Sequence, residues 1–183
     1  GTEWLSLVVT CYQEVVASTE ITCDLSRTPT DDDLLHALGT ARELGFKLML
    51  KPHLDLNSDD DYWRGDIGIG FESEAEWAAW FEAYRAMIVR YAALAEAHGI
   101  EQFCLGTELA GTSHREAEWR ALADAVRNVY SGPLVYAANH GEERSIAWWD
   151  ALDSIGIDAY YALTSTKDPT LDDLKTAWRT RVS

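Results

Sequence analysis

"FCLGTELAGT" occupies residues 103–112. An apolar run without alternation meets a small-residue turn, and a carboxylate, Glu108, stands at the join. An uninterrupted apolar run of this length suits a parallel strand covered on both faces. Four similar runs flank it: "WLSLVVTCY" (4–12), "FKLMLKPHL" (46–54), "PLVYAAN" (133–139) and "SIGIDAYY" (154–161).

Amphipathic segments separate the runs, and their starts are readable. Thr30, Ser73, Ser113 and Thr170 each precede a helical pattern, with Asp33, Glu76, Glu116 and Asp173 three residues on. Hydroxyls there accept first-turn N–H groups, Glu76 and Glu116 complete capping boxes, and carboxylates in the first turn suit the helix dipole. Gly45 and Gly99 stand where two of the helices should end. Leu34, Leu38, Ala41 and Leu44 fall on one helical face; Trp77, Phe81, Tyr84, Ile88 and Tyr91 fall on another. Both stripes predict packing against a sheet. "SIAWWDAL" reads as a short fourth helix, with one of Trp148 and Trp149 in the core and the other facing the cleft.

Strand–helix repeated five times predicts a single α/β domain over 1–183 with a parallel sheet and right-handed crossovers. It is either an open doubly wound sheet or part of a (βα)8 barrel. No glycine-rich phosphate loop follows a strand, which argues against nucleotide binding.

Polar side chains gather at the C-terminal ends of the predicted strands. They are Tyr12, then Lys51, His53 and Asp55, then Glu108, then Asn139, then Asp158 and Tyr160. In a barrel these ends share one rim, where active sites form. Glu108 then faces a shared cleft. Each residue also has a plainer role open to it: Glu108 as a capping carboxylate, His53 and Asp55 as a structural pair, Asp158 as a loop anchor. Trp63 is either a stacking platform for a sugar or the pin of a long loop.

The 183 residues carry a formal net charge of −16, which disfavours nucleic acid and anionic membrane surfaces and is compatible with neutral substrates. Eight tryptophans and eight tyrosines either line a ligand site or pack a core. Three cysteines, Cys11, Cys23 and Cys104, do not suggest a disulfide framework, and they mildly favour a reducing, cytoplasmic compartment. The first residues show no signal peptide, and no apolar stretch is long enough to span a bilayer. "DLNSDDD" (55–61) lacks the glycine and glutamate of an EF-hand, and the Cys/His spacings fit no zinc site, so neither metal nor cofactor is expected.

Taken together, "KPHLDL", "WRGDI", "CLGTELAGT", "YAANHGE" and "WWDALDSIGIDAYYALT" resemble glycoside hydrolase family 113 over nearly the whole chain. These are clan A enzymes, known mainly as β-mannanases, with (βα)8 barrels. The resemblance implies a retaining mechanism on a β-linked neutral saccharide. Its acid/base glutamate follows the fourth strand and maps onto Glu108; its nucleophile follows the seventh. Lys51, His53, Trp63, Asn139, Asp158 and Tyr160 map onto positions lining sugar subsites, and Tyr12 and Asp55 join them on the rim. The correspondence makes this chain strands two to six, a partial barrel without the nucleophile's position. Two exposed sheet edges would then need cover, and a homodimer closing a composite barrel is the expectation. The competing expectation is a catalytically silent, carbohydrate-binding half-barrel whose main property is self-assembly.

Overall fold

The computed structural model describes residues 1–23, 26–58 and 61–181. Asp59 and Asp60 of the acidic "DLNSDDD" stretch, and the last two residues of the single domain expected over 1–183, lie outside the described residues.

Five parallel strands form one sheet in sequence order: β1 (Trp4–Gln13), β2 (Lys47–Leu56), β3 (Gln102–Thr107), β4 (Leu134–Asn139) and β5 (Ser154–Asp158). Helices α1 (Asp31–Glu43), α2 (Glu74–Ala97) and α3 (Glu116–Arg127) return the chain between the first four strands, and α4 (Leu171–Arg181) follows β5. This is the partial (βα)8 barrel, and the doubly wound alternative falls away. No helix among the described residues is long and apolar enough to cross a membrane.

Alternation along each strand sorts side chains between two faces. On the helix side, Leu48, Leu50 and Leu54 pack with Leu34 and Leu38 of α1 and with Trp80, Tyr84, Ile88 and Tyr91 of α2. On the concave side, Cys104, Val135 and Ala137 form a small cluster with Met49 against it. Above that floor the concave face turns polar, which leaves the rim free for chemistry. Trp80, Trp119, Trp148, Tyr84, Tyr91 and Tyr136 are all fully buried. Much of the aromatic surplus is therefore core.

Thr30, Ser73 and Thr170 cap their helices as predicted, each exchanging hydrogen bonds with the acid three residues on. Ser113 does not. A turn over 109–115 intervenes, Ser113 Oγ donates to the Ala110 carbonyl, and α3 begins at Glu116 behind Arg115. The short fourth helix is replaced by 3-10 turns at Glu142–Arg144 and Trp149–Ala151. Trp148 stacks on Trp119 at 4.8 Å, and Trp149 packs on the same core against Tyr136, so neither ring turns to the cleft. Leu44 is 71% exposed because it is the cap residue of α1, beyond the last buried turn.

The cysteine expectation is overturned. Cys11 and Cys23 form a disulfide across a separation of 12 residues, while Cys104 is free and buried. The ground for a reducing compartment goes with it. The bond fastens the loop after β1 to that strand. Thr22 exchanges backbone hydrogen bonds with Tyr12 (2.7 and 2.8 Å), and Thr28 Oγ1 donates to the Thr10 carbonyl (2.6 Å). The loop thereby covers the upper part of the free edge of β1. Lower down, Trp4 and Val8 remain 44% and 46% exposed, and on β5 Ile155 reaches 61%.

Candidate active site

Glu108 continues β3 by one residue, its N–H donating to the Ala137 carbonyl at 2.8 Å. It adopts φ 55°, the only positive φ among the described non-glycine residues. Left-handed backbone in a residue with a β-carbon costs on the order of 1 kcal/mol and is concentrated at functional sites. The carboxyl lies in the cleft with its side chain 14% exposed. Its pKa is raised, first by burial and then by the negative charge of Asp158, against the opposing pull of Arg64, Lys51 and His140.

The second strand supplies three consecutive concave-face residues. Lys51 Nζ donates to both oxygens of Asp158 at 2.9 Å, joining β2 to β5 across the hollow. Arg64 holds the other two: Nη1 donates to His53 Nδ1 at 2.8 Å and Nη2 to Asp55 Oδ2 at 3.0 Å. The same Nη1 lies 3.8 Å from Glu108 Oε2. A guanidinium only donates, so His53 Nδ1 accepts and its proton resides on Nε2. Burial, then Arg64 and Lys51, push the His53 pKa down to about 4. Its Nε2 is buried with no hydrogen-bond partner among the described residues.

Arg64 itself sits in a 3-10 turn, Arg64–Asp66, and reaches the cluster because two loops dock closely. The Gly111 N–H donates to the Gly65 carbonyl at 2.7 Å, and a β-carbon at 111 would lie 2.4 Å from the Ile67 carbonyl oxygen. The Trp63 ring folds over Gly65 and stays 41% exposed.

The structure thus gathers Lys51, His53, Asp55, Asp158 and Glu108, with Asn139 half-buried at the end of β4. One candidate stands apart. Tyr160 is 80% exposed; the neighbouring Tyr161 is the ring that turns toward His140. Tyr12 pairs in register with Asp55 on the concave face, carries the Arg27 guanidinium over its ring at 4.1 Å, and also borders a groove of about 810 Å³ between the β1 loop and α2. None of the other candidates lines that groove.

Two contributors escaped the sequence reading. Arg64 lies within "WRGDI", yet nothing in that string foretells that a loop arginine will bridge three groups. Glu142 lies within "YAANHGE" and looks like half of an exposed acidic pair, but it is buried. Its Oε1 accepts from Tyr136 Oη at 2.7 Å and its Oε2 from the Asn139 N–H at 2.8 Å.

A parallel sheet curved into part of a βα barrel, with carboxylates on its C-terminal rim, defines the class: a barrel of glycosidase type. The chain belongs to glycoside hydrolase family 113, whose family model matches residues 1–181. It is similar to a solved GH113 β-1,4-mannanase complex at 30% identity and a TM-score of 0.82, covering 97% of this chain and 58% of that one. A second GH113 β-1,4-mannanase structure matches at 31% identity, TM-score 0.81, with the same coverages. The GH113 β-mannanase AaManA from Alicyclobacillus acidocaldarius, in complex with ManMIm, matches at 33% identity and TM-score 0.80, covering 98% and 57%. The chain therefore spans somewhat more than half the length of these relatives. Among curated proteins, none matches it.

Proposed function

We propose that this chain carries the acid/base half of a glycoside hydrolase site for β-linked, mannan-like saccharides, with Glu108 as the general acid/base. The observation that carries the reading is Glu108 itself: a strained residue at a strand end, its carboxyl in the cleft and held toward the protonated form. A general acid must keep its proton near working pH until the glycosidic oxygen receives it.

Retaining hydrolysis needs a second, ionised carboxyl about 5–5.5 Å away, and inversion one about 6.5–9.5 Å away. Asp55 is engaged by Arg64 and Asp158 by Lys51, so neither is a free nucleophile. The nucleophile in this reading is the family's glutamate after the seventh strand, and β5 is the counterpart of the sixth. Lys51, His53, Asp55, Asn139 and Asp158 offer hydrogen bonds to sugar hydroxyls, and Trp63 an aromatic face to a pyranose ring; Tyr12 and Tyr160 would serve at its margins.

The test pairs calorimetry on β-1,4-manno-oligosaccharides with turnover of aryl β-mannosides, for the chain and its Glu108→Gln variant. Binding that persists in the variant while any turnover by the chain is lost supports the reading; turnover unaffected by the substitution, or no binding by either protein, overturns it.

A second reading has its own support in the open edges. Trp4 and Val8 on the concave face of β1, and Ile155 and Ile157 on the opposite face of β5, leave apolar surface on the two outer strands of the sheet among the described residues. In that reading the chain binds saccharide silently and assembles, as a homodimer, through those edges. The charge of −16 per copy opposes association, so dimerisation should strengthen with salt. Light scattering giving monomer mass at every ionic strength would refute it.

A further inference from the structure

Glu142 is the one charged side chain among the described residues that is buried. It lies in a turn after β4 and takes no part in the ion pairs of the rim. Its two oxygens accept from Tyr136 Oη and from the Asn139 N–H. Tyr136 is itself fully buried, packed edge-on against the stacked Trp119 and Trp148 rings at 5.2 and 5.0 Å. With its O–H donating to Glu142, the Tyr136 hydroxyl presents a lone pair elsewhere, and the Leu109 N–H donates to it at 2.9 Å.

Leu109 follows Glu108. The amide on one side of Glu108 is bound to the Ala137 carbonyl, and the amide on the other side to Tyr136 Oη. Those two bonds bracket the left-handed residue. Such conformations last only where their surroundings over-determine them. Burying a carboxylate is costly unless its lone pairs are satisfied, so a buried glutamate with both oxygens committed to backbone-orienting bonds calls for a role.

We propose that Glu142, acting through the Tyr136 hydroxyl, is a positioning residue that holds Glu108 in its left-handed conformation and seats Asn139 on the same rim. This rests on the reading of Glu108 as the acid/base. The carboxylate sets the direction of the tyrosine O–H, the tyrosine oxygen fixes the Leu109 amide, and the Glu108 side chain is thereby kept in the hollow faced by Arg64, Lys51, Asp158 and His140. Burial raises the Glu142 pKa, consistent with a carboxyl shut away from water.

The experiment follows the Glu108 carboxyl by carbon NMR as pH is varied, together with amide exchange at Leu109 and Asn139, in the chain, Tyr136→Phe and Glu142→Gln. Tyr136→Phe keeps the ring packing and deletes one oxygen. It should speed Leu109 exchange at least tenfold, leave Asn139 protected, and move the Glu108 midpoint down toward the ordinary carboxylate value as the side chain reaches water. Glu142→Gln removes a charge that also acts on Glu108 through space, so its readout is exchange at Leu109 and Asn139, both of which should quicken, while the Glu108 midpoint is compared in Tyr136→Phe. A purely structural role would change exchange rates and melting temperature but leave the Glu108 midpoint where it was; that result overturns the proposal. Saccharide binding is read separately in the same proteins. Its absence throughout would count against the functional reading without altering the Glu108 comparison.

Discussion

Lys51 and Asp158 meet at 2.9 Å although three strand spacings separate β2 from β5. In a flat sheet that gap is about 14 Å, beyond the reach of a lysine and an aspartate placed side by side. The ion pair therefore measures the curvature of the barrel wall. It also decides what Glu108 feels, because Asp158 raises the Glu108 pKa and Lys51 lowers it.

Lys51→Met should leave Asp158 uncompensated at a site where the two side chains are only 13% and 20% exposed. Removing one partner of a largely buried pair costs more than the pair contributes, here about 2–3 kcal/mol. The Glu108 midpoint should rise further as the lysine's influence disappears. Denaturant titration reads the first effect and carbon NMR the second. Adding Asp158→Asn should recover most of the stability and bring Glu108 back down; a double variant no better than the single would contradict the assignment.

Glu108→Gln should make the chain more stable at neutral pH. A carboxyl whose folded pKa is raised binds its proton more tightly when folded, so stability is lost as pH climbs from about 4.5 through the folded value. The neutral amide has no such penalty, so the variant should be the more stable above pH 7 and little different below pH 4. Thermal melts of both proteins across that range test it; equal melting temperatures at pH 7 would argue that Glu108 is well solvated.

His53 sets the opposite slope. Its folded pKa of about 4 lies below the ordinary histidine value of 6.5. The unfolded chain therefore binds more protons between those limits, and stability falls as pH drops from about 6.5 to about 4. Allowing for its partial exposure, the contribution is about 2 kcal/mol. In His53→Gln, which still offers Arg64 an acceptor, that part of the pH dependence should vanish. Parallel stability curves for the two proteins over this interval would rule it out.

Much of this rim was legible in the sequence, for a physical reason. Parallel strands bury both faces, so a polar residue at a strand's end stands out against the apolar run, as Lys51, His53 and Glu108 do. Loops carry no such contrast. Arg64 becomes the centre of the cluster only through the docking of the Gly111 and Gly65 backbones. Ser113 fits a capping pattern, but the turn over 109–115 that tethers Glu108 consumes it. The disulfide was hidden because two cysteines 12 residues apart announce nothing until the loop folds back on β1.

Reducing that disulfide should destabilise the chain by about 3 kcal/mol, the loop-closure contribution expected for a bridge spanning 12 residues. The loss should fall first on the loop around Tyr12 and Thr22, whose backbone bonds cover the upper edge of β1. Cys11→Ser/Cys23→Ser should show faster amide exchange at both residues while Leu105 and Tyr136 stay protected. Uniform deprotection of the sheet would mean the bridge supports the whole fold instead.

Gly111→Ala separates the docking of the loops from the chemistry they serve. Its β-carbon would meet the Ile67 carbonyl at 2.4 Å and the Gly65 carbonyl at 3.0 Å, both backbone atoms unable to yield without moving the 3-10 turn. Overpacking of this kind costs about 2 kcal/mol. Because that turn bears Arg64, the guanidinium should withdraw from His53, Asp55 and Glu108 together. His53 would then lose one of the positive neighbours depressing its pKa, and its midpoint should move up from about 4 toward 6.5. Gly65→Ala is the control, since the atoms it meets belong to the Trp63 ring, which can swing aside. A destabilised Gly111→Ala with an unmoved His53 midpoint would mean that Arg64 holds its place without the glycine contact.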